Sequence, residues 1–232
     1  MEGNLKLVSK TDVATPEFTA REFLSRLDEL RPPVGMGQVF ALAKDCMHMS
    51  LDEIEALLDN PQHLAKVGAV SIMDFQARSK ATSPERRQAL FDLYIRRHDR
   101  IDTWDLVDRS AIWVVGEHLR EKPRDVLYEL ARSDRPMERR TAILSTFAFI
   151  RRGDLDDAYR IAEMLVGDGE DLVHKAVGWM LREAGKRDEP RLLAFLDRHA
   201  ASMPRVMLRY SIEKLDRDVA ARYRAMKVRG RA

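Results

Sequence analysis

Two side chains that could do chemistry together lie in the stretch "IDTWDLVDRS", residues 101–110. Trp104 and Asp108 are four residues apart, about one helical turn, so they share a face if this stretch is helical. One interpretation is a core tryptophan beside an acid that favours the helix dipole. The other is an aromatic ring and a carboxylate that face a ligand together. This stretch alone leaves both interpretations open.

A second aromatic residue lies among basic ones in "GEDLVHKAVGWMLREAGK", residues 169–186. The basic side of this predicted helix consists of Lys175, Trp179, Arg182 and Lys186, which follow one another at helical spacing. Nucleic acid suits such a stripe, because phosphates bind the cations and sugars or bases bind the ring. The alternative is an indole packed against a neighbouring helix, beside a solvated basic face.

An arginine pair in "MERRTAI", Arg139 and Arg140, lies about midway between the two tryptophans. In a helical-repeat protein, residues one repeat apart on equivalent helices are neighbours. Trp104, Asp108, the arginines and Trp179 could therefore line one cleft. Arg140 could bind a phosphate or serve as the buried partner of Asp108.

The third tryptophan, Trp113, is half a turn out of phase with Trp104 and is predicted to lie in the core.

The elements that must position these residues are helices, because apolar residues recur with helical periodicity and no alternating strand pattern appears. "SLDE" at 50–53 is a capping-box pattern, in which Ser50 caps the helix and Glu53 reaches back. The predicted helices are 16–30, 36–48, 51–59, 61–79, 84–99, 103–121, 123–132, 135–151, 154–166, 170–185, 189–202, 204–215 and 217–226. From residue 51 they form short-linked pairs, which predicts an all-α superhelical solenoid of HEAT-like helical hairpins with a concave cleft. If the basic stripe at 175–186 binds nucleic acid, this is a concave DNA-binding cleft.

Composition sets limits on the class of protein. The 232 residues are 34% charged and 45% hydrophobic with a net charge of +2, so DNA binding requires basic residues gathered on one surface. We expect a single domain over 1–232 with frayed tails at 1–14 and 227–232. The lone cysteine, Cys46, is expected to be a small buried hydrophobe. No signal peptide or membrane span is evident, so we expect a cytoplasmic protein. We also expect a monomer.

Several chemistries lack their sequence motifs. The six histidines show no paired ligand spacing, and the chain contains no P-loop, GxGxxG or GxSxG sequence. We therefore expect no metal, no nucleotide cofactor and no covalent serine chemistry.

Four blocks together resemble a known family. "DRIDTWDLVDRSA", "MERRTAI", "DLVHKAVGWMLREAGKRD" and "HAASMPRVMLRYSIEKLD" are similar, in this order, to the bacterial DNA alkylation repair enzymes, AlkD-type DNA glycosylases built from HEAT-like repeats. The resemblance covers residues 35 to 216. One departure lies near the N-terminus, where many relatives carry a longer block rich in Gly and Tyr and this chain has only "RPPVGMGQVFALAK".

The resemblance implies a role for each matching residue. Asp108 corresponds to the catalytic acid of the family, and Trp104 and Trp179 to its aromatic cleft residues. Arg140 corresponds to its active-site arginine and Arg182 to a contact with the DNA backbone. Arg139, Lys175 and Lys186 are predicted to bind DNA with Arg182.

The function that the resemblance implies is excision of positively charged N3- or N7-alkylated purines, such as 3-methyladenine and 7-methylguanine, from duplex DNA. It also implies that the target base need not be extruded, since the enzyme works from the backbone side. Bacterial origin and association with the nucleoid through DNA follow from the same resemblance. The alternatives are a non-catalytic HEAT-repeat DNA-binding protein and a scaffold that binds proteins.

Overall fold

The computed structural model describes residues 18–226, and this part of the chain is helical without any strand. Its α-helices, in chain order, are α1 Ala20–Asp28, α2 Met36–Asp45, α3 Leu51–Asp59, α4 His63–Arg78, α5 Pro84–Arg96, α6 Trp104–Ser110, α7 Asp125–Ala131, α8 Pro136–Ser145, α9 Phe147–Ile150, α10 Asp156–Leu165, α11 Asp171–Gly185, α12 Glu189–His199, α13 Arg205–Ser211 and α14 Arg217–Ala225. A 3₁₀ turn, His98–Arg100, follows α5, and a π-helix, Ala111–Gly116, follows α6. The predicted all-α class is confirmed.

Side-chain caps fix several helix starts near the predicted positions. Ser83 accepts the backbone N–H of Arg86 ahead of Pro84, the first residue of α5. Ser50 likewise accepts the N–H of Glu53 at the start of α3. These side-chain acceptors satisfy backbone donors that have no partner within the helix.

The predicted capping box at α3 is only half present. The Glu53 carboxylate does not reach back to Ser50; it accepts the backbone N–H of Ala20, at the start of α1, at 2.6 Å. The same glutamate thus ties α1 to α3, because a carboxylate stabilises the positive end of a helix wherever it comes from.

The helices stack as two layers. In one layer α2, α4, α6, α8, α11 and α13 each contact the next of the series. In the other, α1 contacts α3, α3 contacts α5, and α7 contacts α10. Because consecutive members of the first series are the second helices of successive hairpins, the arrangement is the solenoid-like stacking that the pairing predicts. This first layer positions all the predicted cleft residues.

The predicted helix 103–121 is interrupted. After Ser110 it becomes a π-helix, in which the N–H of Glu117 bonds to the carbonyl of Ile112, five residues back. The Ser110 hydroxyl donates to the Leu106 carbonyl at 2.7 Å, a local bond that competes with the α-helical pattern. A π-turn holds one residue more than an α-turn, so residues after it are rotated relative to an unbroken helix.

This rotation changes the surroundings of Trp113. Its ring packs against the core but stays partly exposed, with the guanidinium carbons of Arg78 and Arg151 at 4.7 and 5.0 Å from its ring system. The prediction of a core tryptophan is therefore right only in part.

The predicted helix 135–151 is also divided. α8 ends at Ser145, whose hydroxyl donates to the Thr141 carbonyl at 2.7 Å, and Thr146 donates to the Ile143 carbonyl at 2.6 Å. Hydroxyls that bond to the preceding turn compete with the helical pattern and bend helices. After Thr146 the chain continues as the separate short helix α9.

One contiguous cluster of buried apolar side chains runs from Ala20 to Tyr223, and the predicted buried Cys46 belongs to it. Burial raises the pKa of the Cys46 thiol to about 11.

No helix within residues 18–226 is long and apolar enough to cross a bilayer. The single domain over 1–232 stays a prediction, and the predicted frayed tails, 1–14 and 227–232, lie outside the described residues.

Candidate active site

A cleft of about 410 Å³ opens where α6, α8, α11 and α13 meet. Its walls are formed by Trp104, Asp108, Arg140, Leu172, Lys175, Trp179 and Tyr210. Four residues predicted as catalytic, and one predicted to bind DNA, thus come together although they span more than 70 positions of the sequence.

An ion pair between Asp108 and Arg140 forms the floor of the cleft. The Arg140 Nε and Nη2 atoms donate to Oδ1 and Oδ2 of Asp108, both at 2.8 Å, and Nη1 donates to the Leu172 carbonyl. Two parallel bonds of this kind fix the plane of the carboxylate as well as its position. Arg140 is 6% exposed at its side chain and Asp108 is 25% exposed, so the negative end of the pair faces the cleft.

The pair favours one of the two roles left open for Arg140. All three of its nitrogen groups are used within the protein, by Asp108 and by the Leu172 carbonyl. Because the side chain is also buried, with 6% of it exposed, little of the guanidinium faces the cleft. Arg140 therefore serves as the partner of Asp108 in this structure, with three of its five N–H donors committed to Asp108 and the Leu172 carbonyl.

A buried polar network supports the pair from behind. Thr141 follows Arg140 in α8. Its hydroxyl oxygen lies 3.1 Å from the Tyr94 hydroxyl oxygen and 2.8 Å from Nε2 of His98. Burial raises the pKa of Tyr94 to about 12, and burial lowers the pKa of His98. Both groups are therefore held neutral at pH 7, so they add no charge that would compete with Arg140 for Asp108.

Trp104 is the most exposed wall of the cleft, at 51% of its surface. The turn that carries it is tied to α4, since Nε2 of His63 lies 2.8 Å from Asp105 Oδ2 and Lys66 donates to Asp102 at 3.0 Å. Burial alone would raise the pKa of Asp105, but hydrogen bonds from Thr103 and His63 outweigh it and lower that pKa. Trp104 is thus an exposed ring on a fixed turn.

Trp179 forms the opposite wall and is partly buried. Its ring centroid lies 6.3 Å from that of Phe147, with the planes tilted by 39°. The preceding Gly178 allows α11 to approach α13 closely, because an added Cβ would come within 2.6 Å of both the Met207 carbonyl oxygen and Tyr210 Cβ. This close approach brings Tyr210 into the cleft beside Trp179.

The basic stripe of α11 divides into two parts. Lys175 lines the cleft and forms no ion pair with any carboxylate in residues 18–226. Arg182 instead pairs with Glu183 and Glu213, and Lys186 pairs with Glu183 at 2.8 Å. Both line a separate, smaller cavity of about 50 Å³. Their positive charge is largely balanced within the protein, whereas that of Lys175 is available to a ligand.

Arg139 lies outside the cleft lining. Its Nε and Nη2 atoms donate to Asp168 at 2.6 and 3.1 Å, and its Nη1 donates to the Ser133 carbonyl at 2.8 Å. The pair connects the start of α8 to the loop before α11. DNA binding by Arg139, Arg182 and Lys186 stays a prediction.

Sequence reasoning missed two lining residues, Leu172 and Tyr210. Tyr210 was within reach of the repeat argument, because it follows Trp179 by about one repeat and lies in "VMLRYSIEKLD", one of the blocks that carry the resemblance. Leu172 has no such signal, since its backbone carbonyl contacts Arg140 and any residue type supplies a carbonyl.

The family model for the DNA alkylation repair enzymes matches residues 33–215, more than half of the chain. The chain belongs to the DNA alkylation repair enzyme family. The match covers α2 to α13 and so includes every element that lines the cleft. Membership in this repair family implies DNA as the substrate. Comparison with curated proteins finds no match to this chain.

Proposed function

We propose that this member of the DNA alkylation repair enzyme family is a DNA glycosylase that hydrolyses the N-glycosidic bond of positively charged N3- or N7-alkylated purines in duplex DNA. The observation that carries the proposal is the carboxylate of Asp108, oriented by Arg140 at the floor of a cleft between two tryptophans. A protein that only binds DNA has no use for a fixed carboxylate facing phosphates.

The lesion determines which chemistry the cleft must supply. An alkylated N3 or N7 leaves the purine cationic, so the C1′–N bond breaks with its electron pair passing to the base, which departs neutral. Positive charge then develops on the sugar, as in glycoside hydrolysis. The base needs little general-acid assistance, and what lowers the barrier is negative charge held near C1′.

Asp108 can meet this need in two ways. Its negative face stabilises the developing oxocarbenium charge, and one of its oxygens can accept a proton from the water whose oxygen bonds to C1′. Because Arg140 fixes both carboxylate oxygens, little reorganisation is required when the charge develops. One preorganised group of this kind contributes roughly 10²–10³ in rate.

The other walls of the cleft position the DNA in this proposal. The faces of Trp104 and Trp179 pack on the deoxyribose and stabilise positive charge by cation–π attraction. Lys175, which has no carboxylate partner in residues 18–226, binds a neighbouring phosphate. The cleft is an open surface groove with a half-exposed tryptophan at its edge, which supports attack from the backbone side without enclosure of an extruded base.

Release of free 7-methylguanine and 3-methyladenine from methylated duplex DNA tests the proposal. Asp108→Asn should lower release by about 10²–10³ while DNA affinity is mostly kept. Trp179→Ala should lower it about thirtyfold if its cation–π contribution is about 2 kcal/mol. Asp125→Asn, an exposed aspartate of α7, is the charge-matched control and should release bases like the wild type. If the wild type binds DNA but releases neither base, the alternative of a non-catalytic DNA-binding protein is correct.

A further inference from the structure

Another cavity, of about 290 Å³, lies between α13 and α14. It is lined by Arg205, Val206, Leu208, Arg209 and Arg224, and we call it the arginine pocket. No acidic residue is among the lining residues, although the chain as a whole has nearly equal numbers of acidic and basic side chains. Three guanidiniums around one cavity form a local positive field that the net charge of the chain does not reveal.

The three arginines differ in how they are held. Arg205 is fixed by backbone carbonyls, donating to that of Arg224 at 2.6 Å and to that of Met226 at 3.3 Å. Arg209 and Arg224 are exposed. Within residues 18–226 no carboxylate forms an ion pair with any of the three, in contrast to Arg182 on the neighbouring helix α11. The guanidinium donors of Arg209 and Arg224 are therefore available to an anion, while Arg205 is held in place by its carbonyl partners and adds positive charge.

The arginine pocket adjoins the active-site cleft across one helix. The guanidinium carbon of Arg209 lies 5.6 Å from the ring centroid of Tyr210, and Tyr210 lines the cleft. A helix is about 10 Å in diameter with its side chains, and a DNA strand advances about 3.4 Å per nucleotide. A strand with one sugar in the cleft can therefore reach the arginine pocket about three nucleotides away.

We propose that the arginine pocket binds a backbone phosphate of the same DNA strand whose target sugar occupies the cleft. Arginine is suited to this task because its planar guanidinium offers two parallel donors to phosphate oxygens. The proposal rests on the proposed function in that its ligand is the DNA substrate. It also goes beyond the family match, which ends at residue 215, because Arg224 on α14 supplies one wall of the pocket.

The salt dependence of DNA binding tests this assignment. Each phosphate contact adds about 0.9 to the slope of log affinity against log salt concentration. R209Q/R224Q should therefore bind an unmodified duplex with a slope reduced by about 1, and about tenfold more weakly near 0.1 M salt. R21Q/R217Q removes the same charge at two exposed arginines outside the pocket and should keep the wild-type slope.

Two further measurements separate phosphate binding from an effect on folding or on chemistry. R209K/R224K keeps the charge and should restore most of the slope, which a packing role of the guanidiniums would not allow. In single-turnover release of 7-methylguanine, R209Q/R224Q should raise the enzyme concentration that gives half-maximal release about tenfold and change the maximal rate much less, because the arginines contact the DNA backbone and not the reacting sugar. Should the double glutamine variant fail to fold, the single variant R209Q is measured in the same way.

The outcomes distinguish this inference from the proposed function. Wild-type release of alkylated bases together with an unchanged slope in R209Q/R224Q overturns the arginine pocket alone. If the salt slope is reduced in that variant while the wild type releases no base, DNA binding by the arginine pocket is supported and the proposed glycosylase activity is overturned. Inorganic phosphate that binds the wild type and not the variant, with no difference in DNA binding, would identify a free anion as the ligand and reject the proposal.

Discussion

Two aspartate–arginine pairs formed by adjacent arginines of α8 provide the most informative comparison in this molecule. Arg140 holds Asp108 and Arg139 holds Asp168, and both use the same two guanidinium nitrogens on both carboxylate oxygens. Their surroundings differ. The Asp108 side chain is 25% exposed in a cleft with aromatic walls, whereas that of Asp168, in the loop before α11, is 3% exposed.

The difference shows that geometry within an ion pair does not indicate function. Asp168 also accepts the N–H of Glu170 at 2.9 Å, and His174 bonds to its backbone carbonyl, so this pair anchors the loop that leads into α11. Asp108 retains an open face toward a space that a sugar can enter. We call the first the loop pair and the second the cleft pair.

The largest expected difference between the two pairs comes from removing each carboxylate charge. Asp108→Asn should abolish most base release, by the 10²–10³ given above, with a stability loss of about 1–2 kcal/mol. Asp168→Asn should leave the release rate of the folded protein unchanged but lower the free energy of unfolding by about 3 kcal/mol, because a buried guanidinium loses its partner. Denaturant unfolding and single-turnover release measure the two effects. Equal rate losses in both variants would refute the distinction.

A smaller effect is expected from keeping the charge and removing the bidentate geometry. Arg140→Lys should slow base release about tenfold, because a single ammonium does not orient both oxygens of Asp108. Arg139→Lys should lower the melting temperature by a few degrees without changing the rate. A rate for Arg140→Lys equal to the wild type would mean that the orientation of Asp108 does not depend on this arginine.

Removal of an aromatic ring tests the walls of the cleft that contains the cleft pair. Trp104→Ala should slow release about fivefold, since a half-exposed ring provides about 1 kcal/mol of cation–π stabilisation, and the fold should be little affected. Trp113→Ala is the matched control, because this ring lies outside the cleft and packs between Arg78 and Arg151. It should cost about 2 kcal/mol of stability and leave the rate unchanged. The opposite pattern would place the reacting sugar elsewhere.

The smallest expected effect is the pH dependence of stability that comes from His98, which lies behind the cleft pair. Burial lowers the pKa of His98 below its ordinary 6.5, so below pH 6.5 the unfolded chain takes up a proton that the folded chain does not. Stability should therefore fall as the pH drops below 6.5. His118 acts in the same sense, since burial and Lys122 lower its pKa to about 4.

Unfolding free energies between pH 7.5 and 4.5 test this expectation. His98→Gln should reduce the pH dependence, and His98→Gln with His118→Gln should reduce it further. A wild type whose stability is constant over this range would contradict the lowered pKa values of both His98 and His118.

Much of the fold and the site was predictable because local patterns fix local structure. Helix periodicity and caps such as Ser50 and Ser83 placed the helices within a few residues. The spacing of about one repeat between Trp104, Arg140 and Trp179 predicted that they line one cleft, and the structure places all three there. The breaks at Ser110 and Ser145 were missed because side-chain hydroxyls compete with the helix in a way that apolar periodicity does not record.

The sequence by itself determined the helices, their pairing into hairpins and the family, because these depend on residues close to one another or on their order along the chain. Only the tertiary structure decided which basic residues remain available to DNA. Arg139, Arg182 and Lys186 are paired with Asp168, Glu213 and Glu183, while Lys175 faces the cleft without a carboxylate among residues 18–226. A charge is neutralised by whichever opposite charge the fold brings within a few ångströms, and that partner can lie anywhere in the chain.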